Sequence, residues 1–149
     1  MAKFTLSAFT VIFDNKGRVL LSHRRDLDIW NLPGGGLENG ELPTEAVIRE
    51  TLEETGLKIK IKKLIGVYGK PNKEEFSFVF LGEVIGGKLK KSKEADEHRF
   101  FKITKIPKNT VPKHLARVQD AARNNKKTVF YRQHHISTRK LLKKLKKEK

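Results

Sequence analysis

The order of elements along the chain predicts an α/β (α+β mixed) fold, a mixed sheet with helices packed against it. Three observations carry this expectation. Strand-like stretches stand on both sides of a well-punctuated helix, three consecutive glycines lead into that helix, and a second helical stretch follows the last strand.

Residues 3–13 and 18–24 read as strands joined by a turn at Asn15-Lys16-Gly17. Phe4 to Phe13 is apolar enough to mimic the core of a signal peptide. However, Thr5, Ser7 and Thr10 interrupt it, no small-residue cleavage site follows, and it runs straight into the turn. The next loop ends in Leu32-Pro33-Gly34-Gly35-Gly36. Three glycines in a row are costly inside a helix or strand, so this segment is expected to bend sharply or to approach something closely.

A helix is predicted over residues 43–55. Pro43 suits its first turn, Gly56 its left-handed stop, and Ala46, Val47, Leu52 and Leu57 supply an apolar stripe. Residues 58–68 form a basic strand, with Lys58, Lys60, Lys62 and Lys63 beside Ile59, Ile61, Leu64 and Ile65. Phe76, Phe78 and Phe80 alternate as the buried face of another strand; stacking on a base is the other use for such rings. Gly86-Gly87 marks a turn, a short strand is expected around Arg99 to Ile103, and residues 112–124 read as a helix.

The 149 residues fit one domain, 1–149, with a basic tail at about 126–149 that holds ten Lys/Arg and one Glu. The apolar fraction of 37% is enough for one core. The net charge of +16 favours phosphate-bearing partners without choosing among a nucleotide, an RNA and an acidic membrane. With no cysteine, disulfide scaffolds, thiolate zinc sites and cysteine nucleophiles are excluded, which suits a reducing cytoplasm. No apolar run approaches the ~20 residues of a membrane span. From Ser137 to Lys149, Leu141, Leu142 and Leu145 stand among lysines as a short basic amphipathic helix. Docking on the core, contact with RNA, contact with an acidic surface and fraying in solvent are all open to it. Nothing in the residues sets an oligomeric state.

Glu50, Glu53 and Glu54 stand at i, i+3 and i+4, which puts three carboxylates on one face of the predicted helix. Like charges at this spacing repel. They are tolerated on a solvated face, or where a cation holds them together. Carboxylate oxygens are hard ligands that suit magnesium or manganese rather than zinc. The five histidines, His23, His98, His114, His134 and His135, show no paired metal spacing and read as structural or surface residues.

Gly35 to Leu57 reads GGLENGELPTEAVIRETLEETGL. Gly35, Glu41, Arg49-Glu50, Glu53-Glu54, Gly56 and Leu57 fall at the spacing of the Nudix box, so the segment resembles the signature of the Nudix (MutT-like) hydrolases. Thr51 departs from it, since the family usually has an aliphatic residue there. The resemblance extends to Trp30-Asn31-Leu32-Pro33-Gly34 and, more loosely, to residues 3–125. It implies a Nudix-type α/β/α sandwich with a mixed sheet, and magnesium-dependent attack of water on a phosphorus of a pyrophosphate bond, with manganese possible.

The resemblance also implies roles. Glu50, Glu54 and the Gly34 carbonyl are metal ligands, with Glu53 binding directly or through water. Arg49 pairs with Glu41 and orients the ligand helix. Gly35 and Gly36 let the loop pass close to metal and phosphate. Family members often add a carboxylate from a later loop, and Glu94, Asp96 and Glu97 lie in the corresponding segment, with Glu97 and Glu94 foremost. The general base is Glu53 or that later glutamate. Arg24 and Arg25 close the second strand, either to meet substrate phosphates or as a solvated strand end.

The expected substrate is a small nucleotide: a nucleoside diphosphate linked to another group, of the ADP-ribose or nucleoside triphosphate type. Pro71 resembles a proline that ADP-ribose-cleaving members often carry about this far past the box. Removal of pyrophosphate from RNA 5′ ends is a second reading that the basic tail suits. A silent Nudix-fold module that holds RNA or nucleotide is a third. A module freed from catalysis has no reason to keep three mutually repelling glutamates, which favours the enzyme.

Overall fold

Alternating side chains and a tight turn at Gly17 produce the first two strands of the computed structural model, which describes residues 3–123 and 126–148. They are β1 (Thr5–Ile12) and β2 (Val19–Arg24). Two short strands follow, β3 (Trp30–Asn31) and β4 (Gly34–Gly36), then helix α1 (Pro43–Thr55). The long hairpin β5 (Leu57–Lys70) and β6 (Lys73–Gly87) precedes β7 (Ala95–Phe101). A single 3-10 turn at Ile103–Lys105 leads to α2 (Pro112–Ala122), β8 (Val129–Arg132) and α3 (Thr138–Lys147).

The strands make a mixed five-stranded sheet in the order β4-β1-β6-β5-β8 and a three-stranded sheet in the order β3-β2-β7. The β1–β6 and β5–β8 pairs are parallel, and the others are antiparallel. Neighbouring residues of a strand point to opposite faces, so each face of the larger sheet receives its own helix. On one side α1 lays Ala46 and Val47 over Ala8 and Phe80. On the other, Val118 and Ala121 of α2 meet Val11, Ile65, Tyr68 and Val79, with Trp30 and Leu21 from the smaller sheet. Full burial of a valine such as Val118 contributes about 1.5–3 kcal/mol. The layering is the expected α/β/α sandwich. No helix among the described residues is long and apolar enough to cross a membrane.

Several local expectations are corrected. Gly34–Gly36 is a strand after all, because Ser7, Ala8 and Phe9 of β1 supply its backbone partners. β7 begins at Ala95 rather than near Arg99, drawn out by antiparallel pairing with β2. β8 was not foreseen; it joins the sheet through parallel pairing with Gly66–Gly69. Leu52 is 40% exposed, whereas Thr51 is fully buried in the α1 interface. Phe80 is core and Phe78 partly so, but Phe76 stays exposed and stacks on Phe4 with ring centroids 4.9 Å apart. The predicted end of the second helix at Asn124 and the last residue of the tail, Lys149, lie outside the described residues.

The tail does form the expected amphipathic helix. The Ser137 side chain caps it by accepting from the Lys140 N–H. Its Leu142 and Leu145 line a cavity with Leu27 and Asn109, so its apolar side faces the protein body, with Lys146 at the edge of the same cavity and Lys143, Lys144 and Lys147 exposed.

Candidate active site

The carboxylates depend first on how α1 is anchored. Pro43 occupies its first turn, and Glu45 accepts the Leu42 N–H at 2.9 Å. At the far end Gly56, at φ 82°, donates its N–H to the Leu52 carbonyl. This C-cap fixes the last two turns, which carry Glu50, Glu53 and Glu54.

The glycine strand is built around them. Gly34 has φ 149°, and a Cβ there would stand 2.3 Å from the Ala8 carbonyl oxygen, so only glycine lets β4 lie against β1. Its N–H donates to Glu54 Oε2 at 3.3 Å. A Cβ on Gly35 would come within 2.8 Å of the Glu50 carboxyl carbon, so that carboxylate occupies the space a side chain would take. The Gly36 carbonyl accepts from Arg49 Nη2 at 3.3 Å.

Arg49 grips Glu41 with two hydrogen bonds, Nε to Oε2 at 2.7 Å and Nη2 to Oε1 at 2.8 Å. Its Nη1 reaches Glu50 at 3.0 Å and Glu53 at 3.2 Å. This two-pronged geometry is particular to a guanidinium. It holds the Glu41 carboxyl down to about 2.

The geometry brings together Glu50, Glu54 and Glu94, each offering an oxygen within 4.8 Å of the others. Burial, then the neighbouring Glu94 and Glu50, pushes the Glu54 carboxyl up to about 9, against the Gly34 N–H. Burial also raises Glu50, with Glu94 and Glu53 adding to it and Arg49 opposing. Three carboxylates converging in partly buried space make a set of hard oxygen donors, and Arg49 touches only Glu50 among them. A hard divalent cation fits that donor set.

Glu53 lies outside the trio, with its side chain 58% exposed and paired to Arg49. Glu97 is not brought to it either. On β7, opposite His23, its carboxylate is bonded to Arg99, which lies over the Trp30 ring. Glu94, just before the strand, is the one of the two foremost later acids that stands beside Glu50 and Glu54. Asp96 instead binds His23 Nδ1 at 2.8 Å.

A cavity of about 390 Å³ opens on Glu54 and Glu94 of the trio and is lined also by Arg24, Arg25, Asp26, Asn31, Gly34 and Lys93. Arg24 is paired with Asp26, and Arg25 Nε donates to the Ser92 carbonyl at 2.7 Å. Asn31 and Lys93 went unremarked in the sequence. Asn31 sits inside the conspicuous Trp30-to-Gly34 approach, whereas Lys93 is one lysine among many and carries no signal of its own. His98 bonds Ser22 at 2.7 Å and the Lys90 carbonyl at 2.9 Å, and buried His114 accepts the Leu32 N–H at 3.0 Å. Both are structural.

Comparison with known proteins places the chain in a family. The family model of the NUDIX domain matches residues 3–121. An ADP-ribose pyrophosphatase of Methanocaldococcus jannaschii is 41% identical over 104 residues, 65% of this chain and 62% of that protein. The chain thus spans less than two thirds of that relative's length. A Bacillus subtilis protein named "Putative 8-oxo-dGTP diphosphatase" is 31% identical over 118 residues, covering 78% of this chain and 79% of its own. The crystal structure of a NUDIX hydrolase from Nitrosomonas europaea has the same fold, with a TM-score of 0.78 at 20% identity, covering 89% of this chain and 80% of its own.

Proposed function

Because the chain belongs to the Nudix family of hydrolases, we propose that it is a magnesium-dependent pyrophosphohydrolase of ADP-ribose-type nucleotides. The observation that carries this reading is the convergence of Glu50, Glu54 and Glu94, the last two lining a cavity that also presents Arg24, Arg25 and Lys93. The name of the Methanocaldococcus jannaschii relative supports ADP-ribose as substrate, as does Pro71 in the β5–β6 turn.

In this reading Glu50, Glu54, Glu94 and the Gly34 carbonyl would hold the ion, and manganese could replace magnesium. A divalent ion there neutralises phosphate oxygens and lowers the pKa of a water. Arg49 and Glu41 keep the ligand helix and the glycine strand in register. Gly35 and Gly36 keep the loop low enough for a phosphate to approach. Glu53, exposed and steadied by Arg49, takes the proton from the attacking water. Arg24, Arg25 and Lys93 meet the charge that develops on the leaving phosphate as the bridging P–O bond breaks. One water is consumed, and ADP-ribose yields AMP and ribose 5-phosphate.

The test is hydrolysis of ADP-ribose with magnesium by the wild type, Glu54→Gln and Glu53→Gln. AMP and ribose 5-phosphate are expected from the wild type. Each variant should lose about 10³-fold or more in turnover while keeping its circular dichroism spectrum. If both variants turn over at the wild-type rate, the carboxylates are not the catalytic centre. If a triphosphate releases pyrophosphate while ADP-ribose is untouched, the substrate is a nucleoside triphosphate.

A further inference from the structure

A second cavity, of about 430 Å³, lies between the β5–β6 turn, the start of α2 and the segment that runs into α3. Its charged lining is Lys70, Lys73 and Lys113, beside His134 and His135. Lys70 Nζ is 3.3 Å from Glu75, the carboxylate that an ion pair brings to this lining. Lys113 and Lys70 share this lining, and burial together with that neighbour holds the Lys113 ammonium below its usual range. Beneath them, Arg117 is 2% exposed, its guanidinium between the rings of Phe9 and Tyr68 at 5.3 and 5.1 Å, with Nη1 unpartnered among the described groups. Like charges gathered this closely cost stability unless an anion joins them.

The backbone adds to the same field. Val111 and Lys113 belong to the N-terminus of α2, where no side chain caps the first turn, and Ser137 and Thr138 to the N-terminus of α3. Helix N-termini carry partial positive charge, so the starts of α2 and α3, the latter capped by Ser137, add to the field of the lysines. Buried Gln133 ties the walls together. Its N–H donates to the Gly69 carbonyl at 2.9 Å, its Nε2 to the Lys113 carbonyl at 3.0 Å, and its Oε1 accepts from Arg117 at 3.2 Å. One wall, residues 133–138, lies beyond the stretch that the NUDIX model matches.

We propose that this cavity is a second anion site that binds a phosphate monoester, such as one carried at the far end of a nucleotide substrate longer than ADP-ribose, which itself has none. A free phosphate compound offers the same chemistry, and only the attribution to substrate rests on the hydrolase reading. His114 links the two regions. Its ring meets Phe9, which lines the active-site cavity, at 4.7 Å, and it follows Lys113 in α2.

The site is tested without turnover by titrating inorganic phosphate into the ¹⁵N-labelled full chain in divalent-free buffer. Saturable amide shifts are expected at Lys70, Lys73, Lys113 and residues 133–138. They should weaken by about tenfold or more in affinity in Lys70→Gln/Lys113→Gln, and persist in Glu54→Gln. Lys73→Gln, at an exposed turn, gives a folded variant with a smaller loss of about threefold. Shifts spread evenly over Lys143, Lys144, Lys146 and Lys147 and indifferent to these substitutions would overturn the site.

Steady-state kinetics then separates the sources. A rise in KM in Lys73→Gln confined to substrates bearing a terminal phosphate assigns the anion to the substrate. An unchanged KM for every substrate, with phosphate binding weakened, overturns that assignment in favour of a separate ligand. Failure of hydrolysis leaves the phosphate titration interpretable, so the two readings fail separately.

Discussion

The end of α1 and the cavity at the starts of α2 and α3 are electrostatic opposites. One gathers Glu50, Glu54 and Glu94, the other Lys70, Lys73 and Lys113. Both keep like charges together in partly buried space, and both displace the ionisation of the groups involved, upward for Glu54 and downward for Lys113. They differ in how they are held. The carboxylates sit on a helix braced by Arg49 and a glycine strand, all within 62 residues of sequence from Gly34 to Ala95. The lysines come from a turn, a helix start and a C-terminal segment joined through Gln133. Like charge gathered inside a fold favours a partner of the opposite sign, and the scaffold sets how rigidly the charges are presented.

The firmest way to break the comparison is at its brace. Arg49→Lys keeps the charge but loses the fork that grips Glu41, so turnover should fall about 10–100-fold with the fold intact. Steady-state rates and circular dichroism check this, and an unchanged rate means that charge alone suffices.

His114 sharpens the basic side. Burial, then Arg117, Lys113, Lys70 and Arg24, holds it well below its usual value and therefore neutral. Its unfolded form takes up a proton near pH 6.5 while the folded form does not. The stability it contributes is thus full above pH 6.5 and is lost as pH falls, by about 1.4 kcal/mol per pH unit until the folded value is reached. Urea unfolding at pH 7.5 and 5.5 should show this loss in the wild type and not in His114→Asn. Equal losses in both would mean that His114 is protonated in the folded state.

The smallest effect concerns α1 away from either charge cluster. The Thr51 hydroxyl is buried and has no partner among the described groups. Thr51→Val keeps its shape and removes that polar atom, so stability should rise by about 1 kcal/mol without a change in rate, as read by denaturant midpoint and turnover.

The helix was legible to the residue, from Pro43 to Thr55 with Gly56 as its stop, because proline and glycine act through local backbone geometry. The spacing of its glutamates was legible for the same reason. What escaped was set by distant partners. Gly34–Gly36 has no side-chain pattern to read and is a strand only because β1 lies beside it. β8 hides in a basic segment with Phe130 77% exposed, so no alternation announces it. Among the later acids, sequence could not separate Glu94 from Glu97. The choice turns on where β7 begins, which places Glu94 before the strand and Glu97 on the Arg99 side of it.

The parallel docking of β8 has a temporal consequence. A chain emerges from its N-terminus and acquires structure as its partners become available. The carboxylate trio has its last member once Glu94 has been added, but the Gln133 knot and the start of α3 do not exist until some forty residues later. A nascent chain can thus complete the acidic half of the molecule well before the basic half. The order of synthesis separates in time two regions that the finished protein holds close together.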